Sequence, residues 1–88
     1  MPYINKDQRS KYVTFSLYLE TLDEIENKGD LEFLVFSLMK KYMKTREARY
    51  STLHDCTYAI QHCADEFRRR FLDKREDEAL KNNGKITI

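Results

Sequence analysis

The run Ser51–Leu72, STLHDCTYAIQHCADEFRRRFL, constrains the fold more than any other stretch. Leu53, Cys56, Ile60, Cys63, Phe67 and Phe71 recur every three or four residues, with Ala59 and Ala64 beside them. That period places them on one side of an α-helix. Neither Gly nor Pro interrupts the run. Ser51 or Thr52 can cap its start, and Asp55 brings negative charge to the first turn, where the helix dipole favours it. The spacing predicts a helix over 52–72, and DKREDEALK leaves it free to continue to 81. The stripe is expected to be core, with Cys56 and Cys63 as small buried apolar residues. Seven residues apart on one helix, the two thiols stand roughly 10 Å apart along the axis. A disulfide needs Cα atoms within about 7 Å, so they cannot pair with each other.

The rest of the chain has the same character. It uses Gly twice and Pro once in 88 residues, which points to a single all-α domain over residues 1–88. A first helix is expected over 7–27, with Asn5 or Asp7 as its cap. Tyr12, Phe15, Leu19, Leu22 and Ile25 form its apolar side, and Gly29 takes the left-handed position after its end. Asp30 is expected to cap a second helix over 31–44. In LEFLVFSLM seven residues of nine are apolar, so this helix is apolar nearly all round and needs cover on more than one side. Phe33, Phe36, Met39 and Met43 lie off its main stripe and are the expected self-association face, with a dimer favoured. Asn82-Asn83-Gly84 predicts a stop. Lys85–Ile88, KITI, alternates like a short strand, for which the extended Tyr3-Ile4 segment is the natural mate.

Charge is plentiful yet nearly balanced, at a net +1. It falls in blocks: residues 18–33 carry six carboxylates against one lysine, and residues 40–50 carry five cations against Glu47. One reading is a basic surface for phosphate, in which Lys41, Lys44, Arg46, Arg49, Arg69 and Arg70 hold the anion and Tyr50 stacks on a base. The plainer reading is solvated helix faces with pairs such as Glu66–Arg70. Across subunits, blocks of opposite sign can also orient an assembly.

Residue types suited to catalysis do not converge. His54 and Cys56 are two apart and His62 and Cys63 adjacent, so each pair diverges on a helix. No CxxC or HxxxH pair supplies metal spacing. Gly-rich phosphate loops and the GxSxG elbow are missing too. An enzyme would need His54 or His62 in a concave site beside carboxylates; neither an enzyme nor a cofactor or metal is expected. The opening MPYINKDQRS lacks an apolar leader core, and Phe33–Met39 falls far short of the ~20 residues that span a bilayer. The expected location is the cytoplasm, with no membrane partner.

Several short motifs together resemble a family of small uncharacterised phage and bacterial proteins. These are the opening Met1-Pro2-Tyr3-Ile4, Gly29-x-Leu31-x-Phe33, Glu66-Phe67-x-Arg69-Arg70, Glu76-Asp77 and Asn83-Gly84-x-Ile86. The family pattern reads similarly, with Glu-Phe-Tyr-Arg-Arg, a Glu-Asp pair and a closing Asn-Gly-Asp-Val. This chain departs from it at Arg68 in place of Tyr, Lys74-Arg75 in place of Pro-Tyr, and Lys85 in place of Asp. The changes add a basic edge to the long helix. The resemblance implies a helical, intracellular, phage-type protein and carries no activity with it. The surplus apolar surface of the second helix and the segregated charge give the expected function, non-catalytic binding of a host or phage protein in the host cytoplasm. A binder of nucleotides or nucleic acid is the competing expectation.

Overall fold

The computed structural model describes residues 2–87. The described residues are all-α: α1 (Lys6–Arg9), a 3₁₀ turn (Ser10–Tyr12), α2 (Val13–Thr21), α3 (Lys28–Lys44), α4 (Tyr50–Phe67), a π-helical turn (Arg68–Leu72) and α5 (Asp73–Asn83). They fall into two compact units, one formed by Tyr3–Cys56 and the other by Pro2 with the chain from residue 57 onward.

In the unit Tyr3–Cys56, the expected first helix is shorter and less regular than its apolar period implies. Ser10 Oγ donates to the Asp7 carbonyl at 3.2 Å, where the backbone tightens into the 3₁₀ turn. The helix ends at Thr21, not at residue 27. Thr21 Oγ1 donates to the Tyr18 carbonyl at 2.6 Å, and Leu22 is extended. A hydroxyl that takes up a helix carbonyl competes with the backbone ladder, so a threonine is a fitting last residue.

The start of α3 also differs from expectation. Asn27, not Asp30, is the cap: its Oδ1 accepts from the Asp30 N–H at 2.8 Å. Gly29 consequently lies inside the first turn of α3 rather than beyond the end of a preceding helix. A Cβ at Gly29 would approach Asn27 Oδ1 to 3.3 Å, so glycine leaves the capping oxygen its room. Asn27→Ala is expected to lower the unfolding free energy by about 1 kcal/mol, read by urea denaturation followed by circular dichroism.

Between α2 and α3 runs a hollow of about 380 Å³ lined by apolar side chains, among them Phe15, Leu19, Leu22, Leu31, Leu34 and Leu38. Leu22, Leu34, Val35, Met39 and Met43 are half-buried. The start of α4 is tied to α3 by the Cys56 thiol, which donates to the Met39 carbonyl at 3.8 Å. Cys56, at 7% exposure, is the one buried hydrophobic residue among those described.

The long apolar stripe is therefore not a continuous core. Cys56 is buried and Ile60 half-buried, but Leu53, Cys63, Phe67 and Phe71 are exposed. Helical backbone continues past residue 72 through the π turn, in which the Asp73 N–H bonds to the Arg68 carbonyl five residues back. It stops where Asn83-Gly84 predicts: Gly84 has φ +88° and its N–H donates to the Leu80 carbonyl at 2.9 Å. No strand occurs among the described residues, so the expected mating of the two terminal segments is not formed there. Each lone segment has too few β-branched residues to make a sheet, and Met1 and Ile88 lie outside the described residues.

Candidate functional site

The seven residues read from the sequence as a phosphate surface divide between the two units. Lys41, Lys44, Arg46, Arg49 and Tyr50 belong to Tyr3–Cys56, while Arg69 and Arg70 belong to the other.

In the first group, several cations are engaged in local structure. Lys41 and Lys44 lie in the last turn of α3, where positive charge suits the helix dipole. Arg46 Nη1 donates to the Tyr42 carbonyl at 2.8 Å, and the guanidinium lies 3.9 Å from the centroid of the Tyr42 ring. Arg46 thus closes the end of α3, and stacking on Tyr42 holds it there. Arg49 Nε pairs with Glu47 at 2.5 Å. Tyr50 opens α4 at 78% exposure, with its ring edge-on to His54 at 4.2 Å between centroids.

Phe33 and Phe36 project from α3 at 70% and 61% exposure, whereas Met39 and Met43 are half-buried. The four expected self-association residues thus present two exposed rings and two partly covered thioethers.

The second unit gathers charge around the π turn. An open hollow of about 590 Å³ is lined by Arg69, Arg70, Phe71, Lys74, Arg75 and Glu78. Arg69 Nε donates to Glu66 Oε1 at 2.6 Å; the Glu66 side chain is 11% exposed and that of Arg69 71%. The Arg70 guanidinium stands 5.4 Å from the Phe71 centroid, and Phe71 leans on Phe67 at 4.8 Å. Arg69 and Arg70 are legible in the sequence as phosphate-binding cations, but their companions Phe71, Lys74 and Arg75 are not. The signal for the last two was present in Lys74-Arg75, the basic pair that departs from the resembled family's pattern.

A neighbouring hollow of about 400 Å³ is lined by Pro2, His62, Asp65, Glu66 and Arg69. His62, Asp65 and Glu66 stand at helical i, i+3 and i+4, which brings an imidazole and two carboxylates to one face. Asp65 accepts from Gln61 Nε2 at 3.0 Å and Glu66 from Arg69. A proton acceptor is present in this hollow, but none of its lining residues is a hydroxyl or thiol nucleophile. Among the described residues no three of His, Cys, Asp and Glu are grouped as metal ligands, and no helix is long and apolar enough to cross a membrane.

A family model described as "Domain of unknown function (DUF6899)" matches residues 1–86. The chain belongs to that family. No curated protein and no solved structure matches it.

Proposed function

We propose that this member of the DUF6899 family is a non-catalytic protein that acts by binding other proteins, and that it first pairs with a second copy of itself. The observation that carries this reading is the exposed pair Phe33 and Phe36 on α3, beside apolar side chains only half-buried within the same unit. Fully burying a phenylalanine stabilises by roughly 1.5–3 kcal/mol relative to leaving it in water. A partner surface gains that free energy, which the unit alone does not capture.

A second copy is the partner that charge favours. Asp30 and Glu32 stand in the first turns of α3, and Lys40, Lys41 and Lys44 at its far end. Two α3 helices laid antiparallel about a two-fold axis set the acidic end of each against the basic end of the other. A parallel pairing would set like against like. The antiparallel arrangement is isologous and closes as a dimer, with the helix dipoles opposed.

The resemblance to phage proteins in the MPYI opening and the EFxRR, ED and NG motifs extends this reading. The dimer works in the host cytoplasm, and its further partner is a host or phage protein. Sedimentation velocity over a hundredfold range of concentration tests the first step. A mass moving from one chain to two as concentration rises is the expected result, and one chain at every concentration overturns it.

A further inference from the structure

We propose that the hollow at the π turn is a binding site for nucleoside phosphates, with Arg70, Lys74 and Arg75 on the phosphate and Phe71 under the base. This goes beyond the pairing of α3, which belongs to the other unit of the chain.

Arg70 with Lys74 and Phe71 with Arg75 are i, i+4 neighbours on any helix, and the π turn draws the rest of the cluster toward them. Five residues advance a regular α-helix by about 500°, which leaves Arg69 and Lys74, or Arg70 and Arg75, about 140° apart around the axis. An i→i+5 turn winds less per residue and brings residues five apart nearer to one face. The Asp73 N–H to Arg68 carbonyl bond is such a turn. Arg69 and Arg70 therefore come to the same hollow as Lys74 and Arg75. Apart from Arg69, which pairs with Glu66, three cations share that lining with one carboxylate, Glu78, while Asp73, Glu76 and Asp77 are not part of it. Among the described residues no ion pair engages Lys74, Arg75 or Glu78.

Such a cluster repels itself, and an anion relieves the repulsion. Guanidinium forks match phosphate oxygens in pairs, and the lysine adds a point charge. The aromatic member turns an anion site into one for a nucleoside phosphate. Phe71 leans on Phe67 with the Arg70 guanidinium 5.4 Å from its centroid, is 50% exposed and lines the hollow, so part of the ring is open to a base, which would stack beside the guanidinium. Arg69 borders the hollow as one half of an ion pair with Glu66, so the phosphate is left to Arg70, Lys74 and Arg75.

A base with its phosphate comes either as a free nucleotide or within a single strand. The probes are a fluorescent ATP analogue and a labelled oligothymidylate, followed by anisotropy on the full chain. Both are first measured at about 50 mM salt, where phosphate contacts are strong. Binding of either probe is expected. Capture of the mononucleotide assigns a free nucleotide, and capture of the strand alone assigns a phosphodiester chain. For the strand, three phosphate contacts predict a roughly twentyfold loss between about 50 and about 200 mM salt.

Lys74→Glu with Arg75→Glu is expected to weaken binding at least thirtyfold. Lys6→Glu with Lys11→Glu, an equal change of charge in the other unit, should cost less than threefold. Phe71→Ala should cost about five- to a hundredfold, the range of a lost base–aromatic stack. All the substituted side chains are exposed, and circular dichroism checks that each variant keeps its helices. Equal losses from the two double reversals, indifference to Phe71→Ala, or no binding of either probe at low salt would overturn the site. Lys74→Glu with Arg75→Glu leaves α3 untouched, so its sedimentation reports separately on self-association.

Discussion

Replacing Phe33 and Phe36 together with aspartate is expected to turn a self-associating protein into a monomer that keeps its helices. In a two-fold pair four rings leave water, each contributing up to roughly 1.5–3 kcal/mol. Partial burial and the freedom lost on association reduce that sum considerably. A loss of about 3–4 kcal/mol remains a cautious figure, and it raises the dissociation constant by roughly a hundred- to a thousandfold. The fold of the unit should survive because neither ring lines the apolar hollow between α2 and α3. Aspartate costs the helix only about 0.5 kcal/mol per site in propensity. Sedimentation equilibrium gives the mass, and far-ultraviolet circular dichroism gives the helicity. A double variant with the same concentration-dependent mass as the native chain would show that this face does not carry the pairing.

The antiparallel geometry makes a second and more specific expectation. Reversing the acidic end, Asp30→Lys with Glu32→Lys, sets two positive ends against each other in the homodimer. Lys41→Glu with Lys44→Glu does the same with negative ends. Surface ion pairs contribute about 0.2–1 kcal/mol each, and reversal exchanges attraction for repulsion in several pairs at once. Each double variant should therefore self-associate about ten- to thirtyfold more weakly, and added salt should narrow the gap. Mixed in equal amounts, the two should form a heterodimer near native strength, because every end then meets its opposite. Part of the cost of Glu32→Lys arises within one chain, since Glu32 lies 3.5 Å from Lys28 and would become a like-charge neighbour. That part persists in the mixture, whereas the intersubunit part does not. Native mass spectrometry of the mixture distinguishes the species. Two weak homodimers with no preference for the mixed pair would exclude the antiparallel arrangement.

Helices and their broad limits were legible wherever periodicity and a strong terminator agreed. The long run from Leu53 announced itself by spacing, and Asn83-Gly84 ended it where glycine could take a positive φ. Helix limits shift where one residue has two uses. Lys28-Gly29 looks like a helix stop, but Asn27 just before it can accept from the third N–H of a new helix, and it does. Ile25 continued an apolar period in sequence, yet the helix had already closed at Thr21 through a hydroxyl-to-carbonyl bond. Burial was the least legible quantity. Cys56 and Cys63 are equivalent in the apolar period, yet one meets the Met39 carbonyl and is buried while the other is exposed. Of the basic hollow, Arg69 and Arg70 could be named in advance, but not with Lys74 and Arg75. Wheel arithmetic at 100° per residue sets Arg70 beside Lys74 but leaves Arg69 and Arg75 well away from them, and nothing local in RRRFL announces an i→i+5 turn.

That same turn makes the chain unusually forgiving of a change in its length. A π turn holds one more residue than the α turn it replaces, so one residue can be lost from Arg68–Leu72 by reverting to ordinary α geometry. The segment Asp73–Asn83 would then face nearly the same way as before. A single deletion within α4 or α5 has no such reserve and swings everything beyond it by about 100°. Insertions and deletions among relatives should accordingly gather at this one place on the long helix, where length can drift while the face presented by its last three turns is kept.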